Sequence, residues 1–441
     1  MGTIILIIAL VIEAAFATYC IITKSNQRKV RSFVRIGAFA AFVIFTLVSV
    51  LQWGFRWYLL AALLLIWAAI GIWTLGGRKA VKIEFKSGRV VGRAIGMLVL
   101  VFLAVTPALI FPQHAQPKMT GTHAVATVSY TYTDPNRIET FANTGAHREV
   151  NVEFWYPKDG GGPYPLVVFS HGTAAMKTSN TSTFMDLASN GYVVCSVDHP
   201  YHSLYTVDDA RHVTIIDRAY LREYLDVNGG MYSEPTTTRL NQKWMSLRIA
   251  DVNFVLDTVL AKAKDTSSGA VYQMIDRGKI GLIGHSLGGE SMAQVARERS
   301  DIGAVVNLDA DLAGEYRDYV NGKFVLNDRL YPVPLLNIFS DVLERLMSAV
   351  PDPTNAIAVK HVVATAPKAY EVHFIGTDHM SFTDLPLVSP LLVSVINSSV
   401  PKAGGIEVDP LETIERMNDL VLKFFNAYLK GEGSFTVAGT Y

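Results

Sequence analysis

The sequence predicts an α/β domain, a mostly parallel sheet flanked by helices, preceded by four transmembrane α-helices. Three observations lead to this prediction. Four long apolar runs occupy the first 112 residues, strands alternate with helices in the remainder, and a glycine-rich strand–turn–helix segment lies at Lys279–Gly289. We divide the chain into a transmembrane region at 1–112, a linker at 113–121 and the α/β domain at 122–441.

The composition indicates a membrane-bound protein. Half of the 441 residues are hydrophobic and only 18% are charged, which is rare for a soluble chain of this length. Basic and acidic residues number 39 each, so no excess of positive charge indicates nucleic-acid binding. Cys20 and Cys195 both lie in apolar segments, and we expect no disulfide between them. No Cys/His spacing typical of zinc and no phosphate-binding glycine loop is present, so we expect neither metal nor cofactor.

Each of the four apolar runs is about long enough to cross a bilayer as a helix. The runs are Thr3–Thr23, Ile36–Trp53, Trp57–Leu75 and Ala94–Phe111. Only residues 54–56 join the second run to the third, which predicts a tight hairpin with Trp53, Trp57 and Tyr58 in an interfacial aromatic belt. The first run lacks the basic segment of a signal peptide, so an uncleaved anchor is the simpler interpretation. Glu13 lies midway along this run, and we interpret it as a protonated carboxyl that faces the helix bundle.

The basic residues of the connecting loops predict the orientation in the membrane. The first and third loops are strongly basic, whereas the loop between them has only Arg56; their basic residues are Lys24, Arg28, Lys29, Arg31 and Arg35, and Arg78, Lys79, Lys82, Lys86, Arg89 and Arg93. The positive-inside rule therefore places the first and third loops in the cytoplasm. We expect a multi-pass protein of the plasma membrane with its α/β domain on the extracytoplasmic side.

Apolar segments with turn residues between them predict the sheet. Two alternating segments, His123–Thr133 and Val150–Tyr156, indicate antiparallel strands joined by a turn at Asp134–Pro135. Continuous apolar segments indicate strands buried on both faces; they are Leu166–Phe169, Gly191–Asp198, Ile280–Ile283, Ile302–Leu308, Pro334–Phe339 and Tyr370–Ile375. The predicted helices are Phe184–Ser189, Trp244–Ala261, Glu290–Arg299 and Leu411–Leu429.

Two features of the helical and connecting segments bear on the site. Residues 203–243 are polar and weakly periodic, which is typical of a cap or insert over a pocket. In the helix that follows, we interpret Arg248 and Asp251 as solvent-facing or ion-paired residues rather than catalytic ones.

The segment at Lys279–Gly289 predicts a nucleophilic serine. Residues Gly284–Gly288 fit the pattern G-x-S-x-G between a strand and a helix, the context of a nucleophile elbow, so Ser286 is the candidate nucleophile. A simpler alternative is an ordinary turn with a serine N-cap. A second loop, His171-Gly172, directly follows a buried strand. In a serine hydrolase such a loop supplies one oxyanion donor and the residue after the nucleophile the other, here the backbone N–H groups of Thr173 and Leu287.

A serine nucleophile needs a base and an orienting acid. In α/β-hydrolases these follow the serine in the order acid, then histidine. His379 follows the last predicted strand and is the candidate base; His361 and His373 are its rivals, in a helix and a strand. Asp309 and Asp341 each end a strand after the elbow helix, and the residues alone leave both open as the acid; Asp311 and Asp378 suit the role less well.

Several segments resemble the plasma, or type II, platelet-activating factor acetylhydrolase family of the α/β-hydrolase superfamily, and bacterial members in particular. They are Tyr164–Gly172, Asp186–Tyr192, Gly284–Gly289, Leu308–Ala310 and His379–Asp384, and the segments similar to bacterial members are Tyr130–Arg137 and Phe154–Pro157. The resemblance implies an α/β-hydrolase fold and places the acid after the earlier strand, at Asp309 rather than Asp341. Thr173 departs from the apolar residue expected at its position, a change that a backbone donor tolerates.

The resemblance also implies an activity. It implies a membrane-anchored carboxylic ester hydrolase that cleaves short acyl esters, among them the sn-2 acyl group of phospholipids, as a 1-alkyl-2-acetylglycerophosphocholine esterase does. The substrate is then a small-molecule or lipid ester. A catalytically silent, lipid-sensing membrane protein is the alternative. The sequence predicts no oligomeric state.

Overall fold

The computed structural model describes residues 1–77, 84–397, 408–437 and 441. The chain forms two compact units, Met1–Ala115 with Leu387–Ser398, and Gln116–Pro386 with Ser399–Tyr441. This division differs at one place from the predicted boundaries, because the segment from Leu387 groups with the helical unit although the prediction kept it within 122–441.

The described residues contain helices of very different lengths. In chain order they are α1 (Gly2–Ile22), α2 (Arg28–Leu47), α3 (Tyr58–Gly76), α4 (Ser87–Ile110), α5 (Thr181–Ser189), α6 (Arg218–Asn228), α7 (Glu234–Lys264), α8 (Ala270–Gln273), α9 (Leu287–Glu298), α10 (Asp341–Ser348), α11 (Pro353–Ala356), α12 (Ala358–Thr365), α13 (Leu385–Val388), α14 (Pro390–Ile396) and α15 (Pro410–Phe425).

The helical unit is built from α1 to α4. Each of these helices is long and apolar enough to cross a membrane. Helix α1 packs against α4, and α2 packs against α3. Glu13 is buried within this unit, at 8% exposure, as its interpretation as a bundle-facing residue requires. The predicted cytoplasmic residues Arg78, Lys79 and Lys82 lie outside the described residues.

The second helix differs from its prediction. It begins at Arg28 and ends at Leu47, so it starts and stops earlier than the apolar run Ile36–Trp53. Arginine and lysine are good helix formers and extend the helix beyond its apolar part, and Ser49 ends it with a positive φ of 59°. The hairpin connection to α3 is therefore longer than predicted. Of the three predicted belt residues, Trp57 is buried in the core of this unit, whereas Trp53 and Tyr58 are exposed.

Eight strands of the second unit form one sheet. In chain order the strands of the chain are β1 (Val125–Ile138), β2 (His147–Pro157), β3 (Tyr164–Ser170), β4 (Val193–Val197), β5 (Tyr205–Val207), β6 (Val213–Ile215), β7 (Ile275–His285), β8 (Ile302–Leu308), β9 (Tyr316–Val320), β10 (Lys323–Leu326), β11 (Leu335–Ser340) and β12 (Ala369–Phe374). The large sheet has the order β1-β2-β4-β3-β7-β8-β11-β12. The pairs from β4 to β12 are parallel, and β1–β2 and β2–β4 are antiparallel.

Two hydrophobic clusters cover the two faces of this sheet. Along β3, for example, Leu166 and Val168 belong to one cluster while Val167 and Phe169 belong to the other. A strand covered on both faces must be apolar at every position, which is why the central strands are continuous apolar runs. The predicted α/β architecture is confirmed.

The first strand departs from its prediction. It runs on to Ile138 through the turn expected at Asp134–Pro135, with an irregular register between Asp134 and Ile138. Such a bulge lets a strand bend without ending. The connection to β2 follows at residues 139–146.

Residues 203–243 contain regular structure that their weak periodicity did not indicate. They include the hairpin β5–β6, helix α6 and the first turns of α7, which begins at Glu234 rather than at Trp244. Tyr220 of α6 packs in one cluster with Trp244 and with Leu287, the residue after Ser286. This segment therefore contacts the start of the elbow helix.

The parallel topology brings four loops to one edge of the sheet. Strands β3, β7, β8 and β12 end at or before His171, Ser286, Asp309 and His379, respectively. In open parallel sheets the carboxyl ends of the strands meet at the edge where ligands bind, so the fold gathers the candidate residues there.

Candidate active site

Ser286 lies on a strained turn between β7 and α9. Its φ is 55° and its ψ is −133°, a conformation that costs a non-glycine residue about 1–3 kcal/mol and that is concentrated at functional sites. A Cβ atom on Gly288 would overlap the carbonyl oxygen of Ser170, and one on Gly284 would overlap the backbone of Gly288. The Ser286 N–H donates to the carbonyl of Leu308 at 2.9 Å. The two glycines are thus needed for the turn that presents the serine.

His379 and Asp309 form a hydrogen-bonded pair. The His379 Nδ1 atom lies 2.7 Å from Asp309 Oδ2. Asp309 is 2% exposed and also accepts from the Ser340 N–H at 2.6 Å and the Ser340 hydroxyl at 3.0 Å. Burial opposes ionisation of this carboxyl, but the bonds from His379 and Ser340 outweigh it, so the pKa of Asp309 lies below its ordinary value. A charged Asp309 can hold the neutral imidazole in the tautomer that leaves Nε2 free.

A short helical turn positions His379. Residues His379–Phe382 form a 3₁₀ turn, and the Asp378 carboxylate accepts from the Met380 N–H at 3.0 Å at its start. Asp378 therefore caps the turn that carries the histidine.

The rival acids and bases have other partners. Asp341 pairs with Arg345 at 2.5 Å and with His373 at 3.2 Å. Asp311 accepts from the Tyr316 hydroxyl at 2.5 Å, and His361 lies on α12. Of the two aspartates that the sequence left open, the structure brings Asp309 to His379.

The loop after β3 lies directly against the elbow. A Cβ atom built on Gly172 would be 3.3 Å from the Ser286 Cβ and 2.9 Å from His285 Nδ1. Leu287 is the first residue of α9, so its N–H belongs to the first turn, whose amides have no acceptor within the helix. The Thr173 side chain accepts a hydrogen bond from Tyr220 at 3.2 Å. The two candidate oxyanion donors thus belong to segments that flank Ser286.

His285 is a residue of the site that the sequence analysis did not single out. It is buried, and its Nε2 atom lies 2.8 Å from the carbonyl oxygen of His379. Burial, with His379 nearby, lowers the pKa of His285 to about 3, so it is a neutral donor that holds the His379 backbone. Its position inside the G-x-S-x-G pattern was the available signal.

Arg248 does not face solvent and forms no ion pair in the described structure, contrary to its sequence interpretation. It is fully buried on α7 and donates to the carbonyl oxygens of His171 and Gly172, the latter at 3.3 Å. Asp251, one turn later, is ion-paired as predicted, with Arg148 at 2.7 Å. Helical periodicity could not distinguish these cases, because the loop that contacts Arg248 is distant in sequence.

The described residues offer no group of three or more His, Cys, Asp or Glu side chains arranged to hold a metal ion.

Comparisons with known proteins identify the family. Residues 140–437 match the profile of the family described as platelet-activating factor acetylhydrolase, isoform II. This chain belongs to that family. The family predicted from the sequence motifs is thereby confirmed.

Relatives within the platelet-activating factor acetylhydrolase family are distant. The chain is 26% identical over 250 residues to platelet-activating factor acetylhydrolase of Bos taurus, covering 54% of this chain and 52% of that protein. It is 23% identical to the protein of the same name from Gallus gallus, covering 62% and 64%. A probable 1-alkyl-2-acetylglycerophosphocholine esterase of Arthroderma benhamiae is 26% identical over 34% of this chain and 32% of that protein. The chain thus spans about half the length of the mammalian relative.

A solved structure supports the fold. Ferulic acid esterase from Streptomyces cinnamoneus superposes with a TM-score of 0.53 at 20% identity, covering 73% of this chain and 95% of that one. The second unit therefore has the α/β-hydrolase fold that the family resemblance implied.

Two buried, neutral histidines make the free energy of unfolding depend on pH. Burial, with a contribution from the Arg248 charge, lowers the pKa of His199 to about 4 and of His202 to about 2. An unfolded histidine titrates near 6.5. The pKa of each histidine is lower in the folded protein, so the unfolded protein binds more protons below pH 6.5. The free energy of unfolding is therefore unaffected by these histidines above pH 6.5 and decreases as the pH falls below it.

The variant His202→Phe should isolate this effect, because a phenyl ring can keep the stacking on Tyr220, whose ring centroid lies 3.8 Å away. Between pH 7.5 and 5, we expect wild type to lose about 2 kcal/mol more unfolding free energy than the variant, at about 1.4 kcal/mol per pH unit below 6.5. Urea unfolding at several pH values measures the difference. Asp384, whose pKa burial raises to about 6, acts in the opposite direction and is common to both proteins. Parallel pH profiles for the two would contradict a neutral buried His202.

Proposed function

We propose that this chain is a serine carboxylic ester hydrolase with Ser286 as nucleophile, His379 as base and Asp309 as the orienting acid. The observation that carries the proposal is the 2.7 Å bond between His379 Nδ1 and Asp309, at the same sheet edge as the strained Ser286. This bond fixes the tautomer whose free Nε2 can accept a proton from a serine hydroxyl. The names of the relatives from Bos taurus and Arthroderma benhamiae support the same class of reaction.

The proposed reaction has two acyl-transfer steps. His379 takes the hydroxyl proton as Ser286 attacks the ester carbonyl, and the proton then passes to the departing alcohol as the acyl-enzyme forms. His379 next takes a proton from water, which attacks the acyl-enzyme, and returns it to Ser286 as the acid leaves. The N–H groups of Thr173 and Leu287 would stabilise the negative oxygen of both tetrahedral intermediates.

We propose short acyl esters as the substrate class, with the sn-2 acyl group of phospholipids among them. This specificity follows the acetyl esters in the relatives' names. The contact of Tyr220 and Trp244 with Leu287 supports a cap contribution to the pocket, since these side chains lie beside the proposed oxyanion donor.

The test is hydrolysis of p-nitrophenyl acetate, butyrate and octanoate by the full chain in detergent micelles, with fluorophosphonate labelling of Ser286. Turnover that falls with acyl length, together with labelling at Ser286, supports the proposal; release of acetate from a 2-acetyl phospholipid would extend it to lipids. Absence of both turnover and labelling would favour the catalytically silent, lipid-sensing alternative.

For the membrane topology, we propose that α1 to α4 anchor the chain in the plasma membrane with residues 116–386 on the extracytoplasmic side. The support is the length and apolarity of these helices and the basic residues of the first and third connections, several of which lie in the first turns of α2 and α4.

Cysteine labelling tests this orientation with little background, because both native cysteines are buried. In intact cells, a membrane-impermeant maleimide should label Lys158→Cys, at an exposed position of the second unit, and spare Lys24→Cys in the first loop. Permeabilised cells should show both labelled. The reverse pattern in intact cells would place the hydrolase unit in the cytoplasm.

A further inference from the structure

A buried arginine holds the loop that carries one of the proposed oxyanion donors. Arg248 is 0% exposed, and its guanidinium donates to two successive carbonyl oxygens, those of His171 and Gly172. The next backbone N–H in the chain is that of Thr173. The contact joins α7, through a side chain, to the loop after β3.

The geometry of one peptide group makes this contact relevant to catalysis. The Gly172 carbonyl and the Thr173 N–H belong to the same peptide unit, which is planar and trans with its C=O and N–H pointing in opposite directions. Arg248 donates to this carbonyl at 3.3 Å, and His171 Nδ1 lies 2.6 Å from the same oxygen, so both side chains restrain the direction of the Thr173 N–H. A hydrogen bond to the carbonyl also polarises the peptide, which makes its N–H a stronger donor.

Among the residues that the structure describes, no carboxylate forms an ion pair with Arg248. Its charge interacts electrostatically with the buried carboxyls of Asp251 and Glu290. Asp251, the acid one turn away, is bound by Arg148, Arg137 and His199 at distances from 2.7 to 3.0 Å. A buried guanidinium without a paired carboxylate is costly to fold. Its positive charge lies instead beside the loop where the proposed reaction develops a negative oxygen.

The segment at residues 203–243 also contacts Thr173. The Tyr220 hydroxyl donates to Thr173 Oγ1 at 3.2 Å, and the Tyr220 ring stacks on His202. Arg248 of α7 thus restrains the Gly172–Thr173 peptide group, and Tyr220 of α6 restrains the Thr173 side chain.

We propose that Arg248 is a positioning residue of the oxyanion hole, which helps to direct and polarise the Thr173 N–H toward the tetrahedral intermediate. This inference rests on the proposed serine hydrolase function. It assigns to Arg248 an effect on the transition state and not on ester binding, because the oxyanion forms only as the carbonyl is attacked.

The test compares Arg248→Met with a matched control, Arg297→Met, in the full chain in detergent micelles. Arg297 is also nearly buried and also donates to two backbone carbonyl oxygens, those of Arg329 and Leu330, near the other end of α9; unlike Arg248, it is ion-paired, with Glu315 at 2.8 Å, so unfolding is measured for this variant as well. With p-nitrophenyl acetate, we expect Arg248→Met to lower kcat about 10- to 100-fold, less than removal of a whole donor, with KM changed less than about threefold. Arg297→Met should leave both constants near those of wild type.

If Arg248→Met does not fold, Arg248→Lys still tests the proposal. Arg248→Lys keeps the charge but cannot bind both carbonyls as a fork does, and we expect a loss of kcat between those of wild type and Arg248→Met. The rate of phosphonylation by a fluorophosphonate should fall in the same order, since that transition state also carries a negative oxygen.

The outcomes separate the two proposals. If wild type turns over and Ser286→Ala does not, but the folded Arg248 variants keep wild-type kcat, the role of Arg248 is wrong and the hydrolase function stands. An equal loss of kcat in Arg297→Met would mean that replacing Arg248 acts through the structure and not through the oxyanion hole. An inactive wild type would overturn the function and the inference together.

Discussion

Replacing Ser286 by alanine should lower kcat for p-nitrophenyl acetate by about 10⁴- to 10⁶-fold, the scale of losing the nucleophile of a catalytic triad. The protein should stay folded, because the serine is held at a φ of 55° by the surrounding turn and not by its hydroxyl. The variant Ser286→Gly should be equally inactive and about 1 kcal/mol more stable than Ser286→Ala, since glycine tolerates a positive φ without steric cost.

Steady-state kinetics and thermal unfolding of both variants measure these effects. Ser246→Ala, which removes an exposed hydroxyl on α7 that bonds only to its own helix, is a control that should retain wild-type kcat. Residual turnover of Ser286→Ala above one hundredth of wild type would mean that another group attacks the ester. A glycine variant less stable than the alanine variant would show that the turn is not strained.

The second large effect concerns the acid. Asp309→Asn should lower kcat by about 10⁴-fold, because an amide in this place favours the tautomer of His379 with its proton on Nε2, where it cannot accept from serine. Asp341→Asn should change kcat less than about threefold, since its carboxylate pairs with Arg345 and His373 and not with His379, the proposed base.

The main effect of Asp341→Asn should be on stability and not on kcat. Asp341 anchors the start of α10 and also accepts from the Gly376 N–H at 3.2 Å, so its loss removes contacts with three partners. We expect Asp341→Asn to unfold at a lower temperature while remaining active, which circular dichroism and the ester assay report separately. Loss of activity in Asp341→Asn with Asp309→Asn spared would move the acid to the later strand.

Some elements could be predicted from the sequence, because patterns within a few residues of the chain are enough to specify them. The continuous apolar runs of β3, β7 and β8 required burial on both faces, and the glycines around Ser286 required a sharp turn between strand and helix. Four apolar runs of membrane length preceded them. These patterns carry their own explanation, because periodicity, length and glycine placement act within a few residues of the chain.

Tertiary structure decided what depends on residues distant in sequence. Asp309 and Asp341 end neighbouring parallel strands, β8 and β11, and the residues alone could not tell which carboxylate meets His379; only the packing of the turn at residues 379–382 selects Asp309. The amphipathic pattern of α7 predicted a solvent-facing or ion-paired Arg248, yet this residue is buried and contacts the Gly172 carbonyl, 76 residues away along the chain. A side chain's partners are set by how strands and helices pack, and no local pattern encodes a contact across such a separation.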